Sequence, residues 1–288
     1  MNGISPEKTN LERLRNALET IPANNLSDLA KNGLEEARLL VEAASAEMET
    51  IRTEAQTVKQ DKAKFISVVT HELRLPLTSI KGYTDLMRQG IVGPVNDQQK
   101  NFLNVIRNNV DRMSSLISDL SDMSHIQSGR LEPQPKPGNL VDLVEEVLYT
   151  WRPRLEEKNQ TVSVEIDPAI PIFMLDPARF VQVLGYILSN AHRYSPSGGM
   201  IFIRARKEGD MARLEVQDNG IGISEEDHKQ LFTPFFRSED SAVRELPGWG
   251  LALHVARLLV ELMGGQIGAS SHLRQGSTFW FGLPIIQP

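Results

Sequence analysis

The chain has 288 residues, 40% of them apolar and 24% charged, with a formal net charge of −6. That length allows one or two domains with cores of their own, and an acidic balance without clustered Lys and Arg excludes a nucleic-acid binder. With no cysteine, a disulfide, a thiolate metal site and a Cys nucleophile are all excluded, which suits a reducing compartment.

The opening "MNGISPEKTN" lacks the basic-then-apolar pattern of a signal peptide, and no run approaches the roughly 18–20 apolar residues that cross a bilayer. A cytoplasmic protein with no membrane segment is the expectation. Residues 1–33 contain helical pieces broken at "TIPANN" and carry no functional signal. From Leu34 the apolar or small residues step by three and four: Leu34, Ala37, Val41, Ala44, Met48, Ile51, Ala55 and Val58. Flanked by Glu, Arg, Lys and Gln, residues 34–62 read as one strand of a two-stranded coiled coil weakened by its alanines.

Residues 63–131 hold two amphipathic helices. In the first, "FISVVTHELRLPLTSIKGYTDLM", Val69, Leu73, Leu77 and Ile80 fall on one face. His71 lies about 200° around the helix from Val69 and so faces solvent. A turn-rich connection, "RQGIVGPVND", leads to a second helix from Asp97 to Ser128, whose seam is Leu103, Ile106, Val110, Met113, Ile117 and Leu120. A two-helix hairpin leaves an apolar side uncovered, and a second copy would cover it in a dimeric four-helix bundle.

The proline-rich "LEPQPKPGN" admits neither helix nor central strand and marks a domain boundary. Residues 138–288 then read as α+β, with helices beside a mixed sheet in a two-layer sandwich. The helices are "VDLVEEVLYTWRPRLEEK", Pro177–Arg193 and Leu251–Met263. The strands are "TVSVEID", "IFMLD" and two hairpins, "MIFIRARKEGDMARLEVQD" and "QIGASSHLRQGSTFWFGLPI".

Chemistry concentrates in two places. His71 is followed by Glu72, and a neutral imidazole is nucleophilic while a neighbouring carboxylate can hold its tautomer or take its proton. An exposed helical histidine is more often an ordinary surface residue. Pro76 sharpens the functional reading, because its ring clashes with the carbonyl of Glu72 and places a bend beside the pair. None of the other five histidines has such a setting. The second place is a pair of glycine loops. "DNGIGI" follows a strand and "GWGLAL" runs into a helix, where unpaired N–H groups suit phosphate oxygens. One such loop is more simply a turn. Two, downstream of "LSNAHRYS", favour a nucleotide pocket, in which Asp218 accepts from the exocyclic amine of adenine. Asn190 offers Mg²⁺ a carboxamide oxygen and Arg193 meets phosphate.

In this order the motifs resemble those of sensor histidine kinases of two-component signalling, over roughly residues 60–286. "FISVVTHELRLPL" resembles the phospho-acceptor box with His71 as acceptor, and "RFVQVLGYILSNAHRYS" the N box with Asn190 at the magnesium position. "VQDNGIGI" and "GWGLAL" are similar to the two glycine boxes, "LFTPFFR" to the phenylalanine box, and "VELMGGQIGASS" with "QGSTFWFGLP" to the closing segment. The resemblance implies a Bergerat-type ATP-binding sandwich, as in DNA gyrase and MutL, which lack the acceptor bundle. It also implies ATP and Mg²⁺ as cofactors, with nucleotide contacts at Asn190, Arg193, Tyr194, Asp218, Gly220, Gly222, Phe235, Gly248, Gly250 and Leu251. It implies autophosphorylation of His71 with Glu72 as acid/base, then transfer to an aspartate of a separate response regulator. The expected partners are a second copy, that regulator, and an upstream sensor acting through the coiled coil.

The chain departs from the family pattern at four positions. Leu75 stands where a threonine or asparagine orients water, which puts phosphatase activity in doubt. Tyr186 replaces the first asparagine of the N box, Ala252 a glycine, and Trp249 a small or polar lid residue. An active kinase with altered lid closure is expected. The alternatives are a scaffold that docks regulators without phosphorylating itself, and a gyrase-type ATPase, which would place a glutamate at Tyr186.

Overall fold

A computed structural model describes residues 6–21, 28–244, 246 and 248–287. The chain divides into two compact units, 1–62 and 63–288.

In the first unit, α1 (Pro6–Glu19) precedes the opening half of α2 (Asp28–Arg88). The guanidinium of Arg38 donates to the Leu18 carbonyl at 2.8 Å, tying the two helices. The break expected at "TIPANN" lies mostly outside the described residues. The heptad seam is open in the single chain: Val41 is buried, but Ile51 and Val58 are 59% and 66% exposed.

The coiled-coil and phospho-acceptor segments, expected as separate elements, form one continuous helix of 61 residues with Pro76 inside it. In the second unit its C-terminal half pairs with α3 (Asp97–Gln127). The turn between them uses Gly90 and Gly93 at φ 73° and 122°. Asn96 starts α3 with a capping box, its side chain and that of Gln99 exchanging bonds with each other's backbone N–H at 2.8 Å.

The hairpin seam differs from the expected one. On α2 the buried row is Ala63, Thr70, Leu77 and Thr84, spaced by seven, and Leu77 clusters with Val110 and Ile117 of α3. The hydroxyls of Thr70 and Thr84 donate to carbonyls of their own helix, so they enter the seam without an unpaired proton. Val69, Leu73 and Ile80, expected inside, are 36%, 43% and 44% exposed, as are Ile106 at 42% and Met113 at 43% on α3. Polar pairs flank the seam, with Lys81 2.6 Å from Asp111 and Arg107 3.3 Å from Asp85.

After α3 the proline-rich segment holds neither helix nor central strand but a short edge strand, β1 (Lys136–Gly138). It pairs antiparallel with β3 (Phe173–Leu175), and Pro137 is tolerated because the pair is a two-stranded edge. Between them lie α4 (Leu140–Glu157) and β2 (Thr161–Ile166). Beyond come α5 (Pro177–Tyr194), β4 (Met200–Glu208), β5 (Met211–Asp218) and the short helices α6 (Glu225–His228) and α7 (Ser241–Arg244). α8 (Ala252–Leu262), β6 (Gln266–Ser271) and β7 (Ser277–Pro284) complete the domain. The five-stranded sheet runs β2-β4-β5-β7-β6, antiparallel except for β2 beside β4.

The sheet buries one face. Ile201, Ile203, Leu214, Val216 and Phe281 alternate inward and meet Phe180, Leu184, Ile187 and Leu188 of α5, with Val255 and Leu259 of α8. This α+β sandwich is the expected fold class, preceded by the helical region. Met123 of α3 joins the same core, with Leu120 and Ile126 packed against it, so the hairpin and the sandwich share apolar contact. No helix among the described residues is long and apolar enough to cross a membrane.

Candidate functional site

A cavity of about 430 Å³ lies between α5, the loop after β5, and the segment from Phe236 to Leu253. That is the size of a small-molecule site rather than a packing defect.

Asp218 ends β5 on an inward-facing position of the alternation and is 5% exposed. Its Oδ1 accepts from the Gly220 amide at 2.8 Å and the Ser277 amide at 3.3 Å. Oδ2 has no hydrogen-bond partner among the described residues. Burial pushes this carboxyl up to about 6, and the two amides only partly offset it. A side chain held this way can accept from an amine in the cavity.

The glycines make room by close approach. Gly222 has φ 68°, and a Cβ there would sit 2.0 Å from the His272 carbonyl oxygen. Gly250 has φ 70°, with the Phe236 carbonyl oxygen 2.3 Å from where a Cβ would lie. Both positions therefore require glycine, for backbone conformation and for space.

Asn190 and Arg193 project from the last turns of α5. Asn190 is 9% exposed, lines the cavity, and its carboxamide makes no hydrogen bond among the described residues. An unclaimed buried amide is unusual, and its oxygen suits a hard cation such as Mg²⁺. The end of α5 is held from behind, where the Lys158 ammonium donates to the carbonyls of His192, Arg193 and Ser195 at 2.9–3.3 Å. Burial and the Arg193 guanidinium pull the Lys158 ammonium below its usual range.

On the far side, Arg237 donates to the carbonyls of Val243 and Leu246 at 2.8 and 2.6 Å, fastening the segment that includes α7. Ser238, Asp240 and Val243 of that segment line the cavity, as does Trp249, which is 46% exposed. α3 supplies Ser115 and Asp119 to the wall, opposite Tyr186.

The cavity thus brings together Asn190, Arg193, Tyr194, Asp218, Gly222, Gly248, Gly250 and Leu251. Two expected residues stand outside its lining. Gly220 acts from behind through its bond to Asp218, and a Cβ there would lie 2.6 Å from the Tyr194 carbonyl oxygen. Phe235 sits at φ 64° with 59% of its surface exposed, and the neighbouring Phe236 lines the cavity in its place. Asp119 and Arg237 were not anticipated as wall residues. No local pattern in the sequence pointed to Asp119, whose partner Tyr186 is 67 residues away.

His71 lies elsewhere, on the solvent face of α2. Its side chain is 68% exposed, and its Nδ1 is 3.2 Å from Glu72 Oε1. With the Nδ1 proton donated to Glu72, Nε2 keeps its lone pair for attack on an electrophile. Pro76 follows within the same helix. His192, His228 and His254 are committed to Gln160 and to the carbonyls of Ala269 and Phe232.

Comparison with known proteins agrees with both halves. Residues 61–129 match the His Kinase A (phospho-acceptor) domain, and residues 175–287 the histidine kinase-, DNA gyrase B-, and HSP90-like ATPase family. The circadian input-output histidine kinase CikA of Synechococcus elongatus is 34% identical over 239 residues, covering 81% of this chain and 32% of the relative. The chain thus spans about a third of the length of that relative. Histidine kinase AdeS of Acinetobacter baumannii has a similar structure, with a TM-score of 0.54 and 25% identity over 75% of this chain and 98% of that one. Full-length ShkA in complex with AMPPNP shares the fold at a TM-score of 0.66 and 23% identity, over 78% of this chain and 46% of that one.

Proposed function

Because the chain belongs to the sensor histidine kinases of two-component signalling, we propose that it uses ATP to phosphorylate His71 and passes the phosphoryl group to an aspartate of a separate response regulator. The observation that carries this reading is the pairing, in one chain, of the exposed His71–Glu72 dyad with a cavity walled by Asp218 and Asn190.

In this reading Asp218 Oδ2 accepts from the exocyclic amine of adenine, and the backbone at Gly222, Gly248 and Gly250 lies against the nucleotide. Arg193 faces the phosphates, and the Asn190 oxygen binds the metal. Mg²⁺ supplies charge neutralisation on the phosphates when bound. Glu72 holds the Nδ1 proton of His71 so that Nε2 attacks the γ-phosphorus of ATP; the bond from that phosphorus to the bridging oxygen breaks, ADP leaves, and Glu72 takes up the Nδ1 proton as the phosphoramidate forms. Most of the rate then comes from positioning and electrostatics. His71 is not among the residues lining the cavity. With Ser115 and Asp119 of α3 in the cavity wall, transfer therefore requires the sandwich to leave α3, with the segment after α3 as the hinge, and to reach the His71 of its own chain or that of a partner subunit.

The exposed row Val69, Leu73, Ile80, Ile106 and Met113 fits a second copy in a four-helix bundle. The open seam of residues 34–58 fits continuation of that dimer as a coiled coil that receives an upstream signal. The regulator docks around His71, where Leu75 offers no polar group to activate water. A need for ATP supports a cytoplasmic setting for this part of the protein.

The test is ATP labelled at the γ-phosphate, with Mg²⁺, on wild type and His71→Ala. Acid-labile, base-stable label in wild type alone supports the reading. Absence of label from a folded, ATP-binding protein favours the docking scaffold, and phosphate release unchanged in His71→Ala favours a gyrase-type ATPase.

A further inference from the structure

We infer that Tyr186 is a positioning residue for phosphoryl transfer: through Asp119 it holds the ATP-binding sandwich on α3, and transfer to His71 requires that hold to break. The inference rests on the proposed phosphorylation of His71.

Arg179, Gln182 and Tyr186 are spaced by three and four along α5 and share one face. That face meets Asp119 and Asp122, one turn apart on α3. The Tyr186 hydroxyl donates to Asp119 Oδ1 at 2.5 Å. The Gln182 amide donates to Asp122 Oδ2 at 2.6 Å and to the Tyr186 oxygen at 3.0 Å, so the phenol's own proton is directed at Asp119. Arg179 lies 3.5 Å from Asp122 and donates to the Gln182 side-chain oxygen at 2.8 Å.

The contact is enclosed rather than peripheral. Asp119 is 5% exposed, and Met123, one turn further along α3, is buried in the core of the sandwich. A short hydrogen bond to a desolvated carboxylate is among the stronger polar contacts available to a phenol. The length of the tyrosine side chain carries its hydroxyl across from α5 to α3.

The position of this contact ties it to the reaction. Asp119 and Tyr186 are both part of the cavity wall, together with Ser115 one turn earlier on α3. While they are joined, the wall beside Asn190 is closed by a carboxylate and a hydroxyl of α3, and the acceptor His71 is absent from it. Any arrangement that brings His71 to the nucleotide must displace α3 from this wall, and so must part Tyr186 from Asp119. The docked arrangement is a resting state, and the contact sets how often the sandwich leaves it.

The test measures His71 phosphorylation at saturating ATP and the radius of gyration of the full chain by small-angle X-ray scattering. Tyr186→Phe removes only the hydroxyl. Asp122→Asn removes the charge that Arg179 meets, at a residue outside the cavity lining. One net hydrogen bond shifts such an equilibrium about five-fold. Each variant is expected to phosphorylate His71 about that much faster and to scatter as a more extended particle, with Asp122→Glu returning both values to wild type. A rate that falls or stays unchanged in either variant, or a particle of unchanged size, overturns the inference. Absence of label from wild type and variants alike overturns the proposed reaction instead, and the scattering then decides the contact on its own.

Discussion

The Gly220 amide donates to Asp218 Oδ1 at 2.8 Å, and with the Ser277 amide on the same oxygen it leaves Oδ2 as the free acceptor of a buried carboxyl. Recognition of an exocyclic amine by this carboxyl depends on its ionisation, since a charged acceptor makes the stronger bond.

Two opposite pH dependences follow for Asp218. Its folded value of about 6 exceeds the ordinary 3.8, so the native state binds the proton more tightly than the unfolded chain. Its contribution to stability is fully present below about pH 4 and is lost as pH rises through about 6. Nucleotide affinity runs the other way. With only the ionised form binding well, affinity is expected to fall about ten-fold between pH 7 and pH 5. Calorimetric titration with ADP checks this, and Asp218→Asn should bind more weakly with a flatter profile. An equally steep profile in Asp218→Asn would assign the titration to another group.

Glycine substitutions separate close approach from mere flexibility. Gly222→Ala must relieve a 2.0 Å approach to the His272 carbonyl at a φ of 68°, and a loss of about 1–3 kcal/mol in urea unfolding is expected, with weaker ADP binding. Gly185→Ala sits in the interior of α5 with nothing within 4 Å of the new carbon. There the sign reverses, with a gain of up to about 1 kcal/mol.

These contrasts show which parts of the molecule were readable along the chain. His71 is exposed as expected, although Val69, the residue its direction was measured from, is itself exposed and the seam runs through Thr70 and Leu77. Asp218, Asn190 and the two glycine loops were readable because each is a local motif whose chemistry needs no distant partner. Asp119 was not, since its partner Tyr186 is 67 residues away and no periodicity links them. The apolar stripe at Val69, Leu73 and Ile80 was visible, but a stripe does not say which neighbour covers it. The hairpin used Ala63, Thr70, Leu77 and Thr84 instead, a row half of whose members read as polar. Lys136–Gly138 could not be read as a strand, because an edge pairing around Pro137 leaves no alternation to detect.

The uncovered stripe predicts the oligomer. Leu73→Glu places a charge where Val69, Ile80, Ile106 and Met113 stand exposed. Loss of about 2 kcal/mol of apolar burial from each of two copies weakens a dimer by roughly a thousand-fold. Light scattering across a dilution series should show monomer at concentrations where wild type is dimeric, while ADP affinity is unchanged. Ile172→Glu, on an exposed residue of the sandwich, should leave the mass unaltered.

Pro76 supplies the last prediction. It sits inside a helix of 61 residues, without an N–H and against the carbonyl of Glu72, one residue beyond the acceptor. A proline in a helix interior costs about 3 kcal/mol, so Pro76→Ala should raise the unfolding free energy of the hairpin by about that amount. If the bend serves only as a tolerated defect, His71 phosphorylation will keep its wild-type rate in the stabilised variant. The placement of the freed carbonyl beside the His71–Glu72 pair favours the other result. Restoring the hydrogen bond from residue 76 to Glu72 straightens the turn that carries both reactive side chains, and the phosphorylation rate is expected to fall roughly ten-fold while nucleotide affinity holds. A more stable and slower protein would mean that this helix gives up stability to present its histidine.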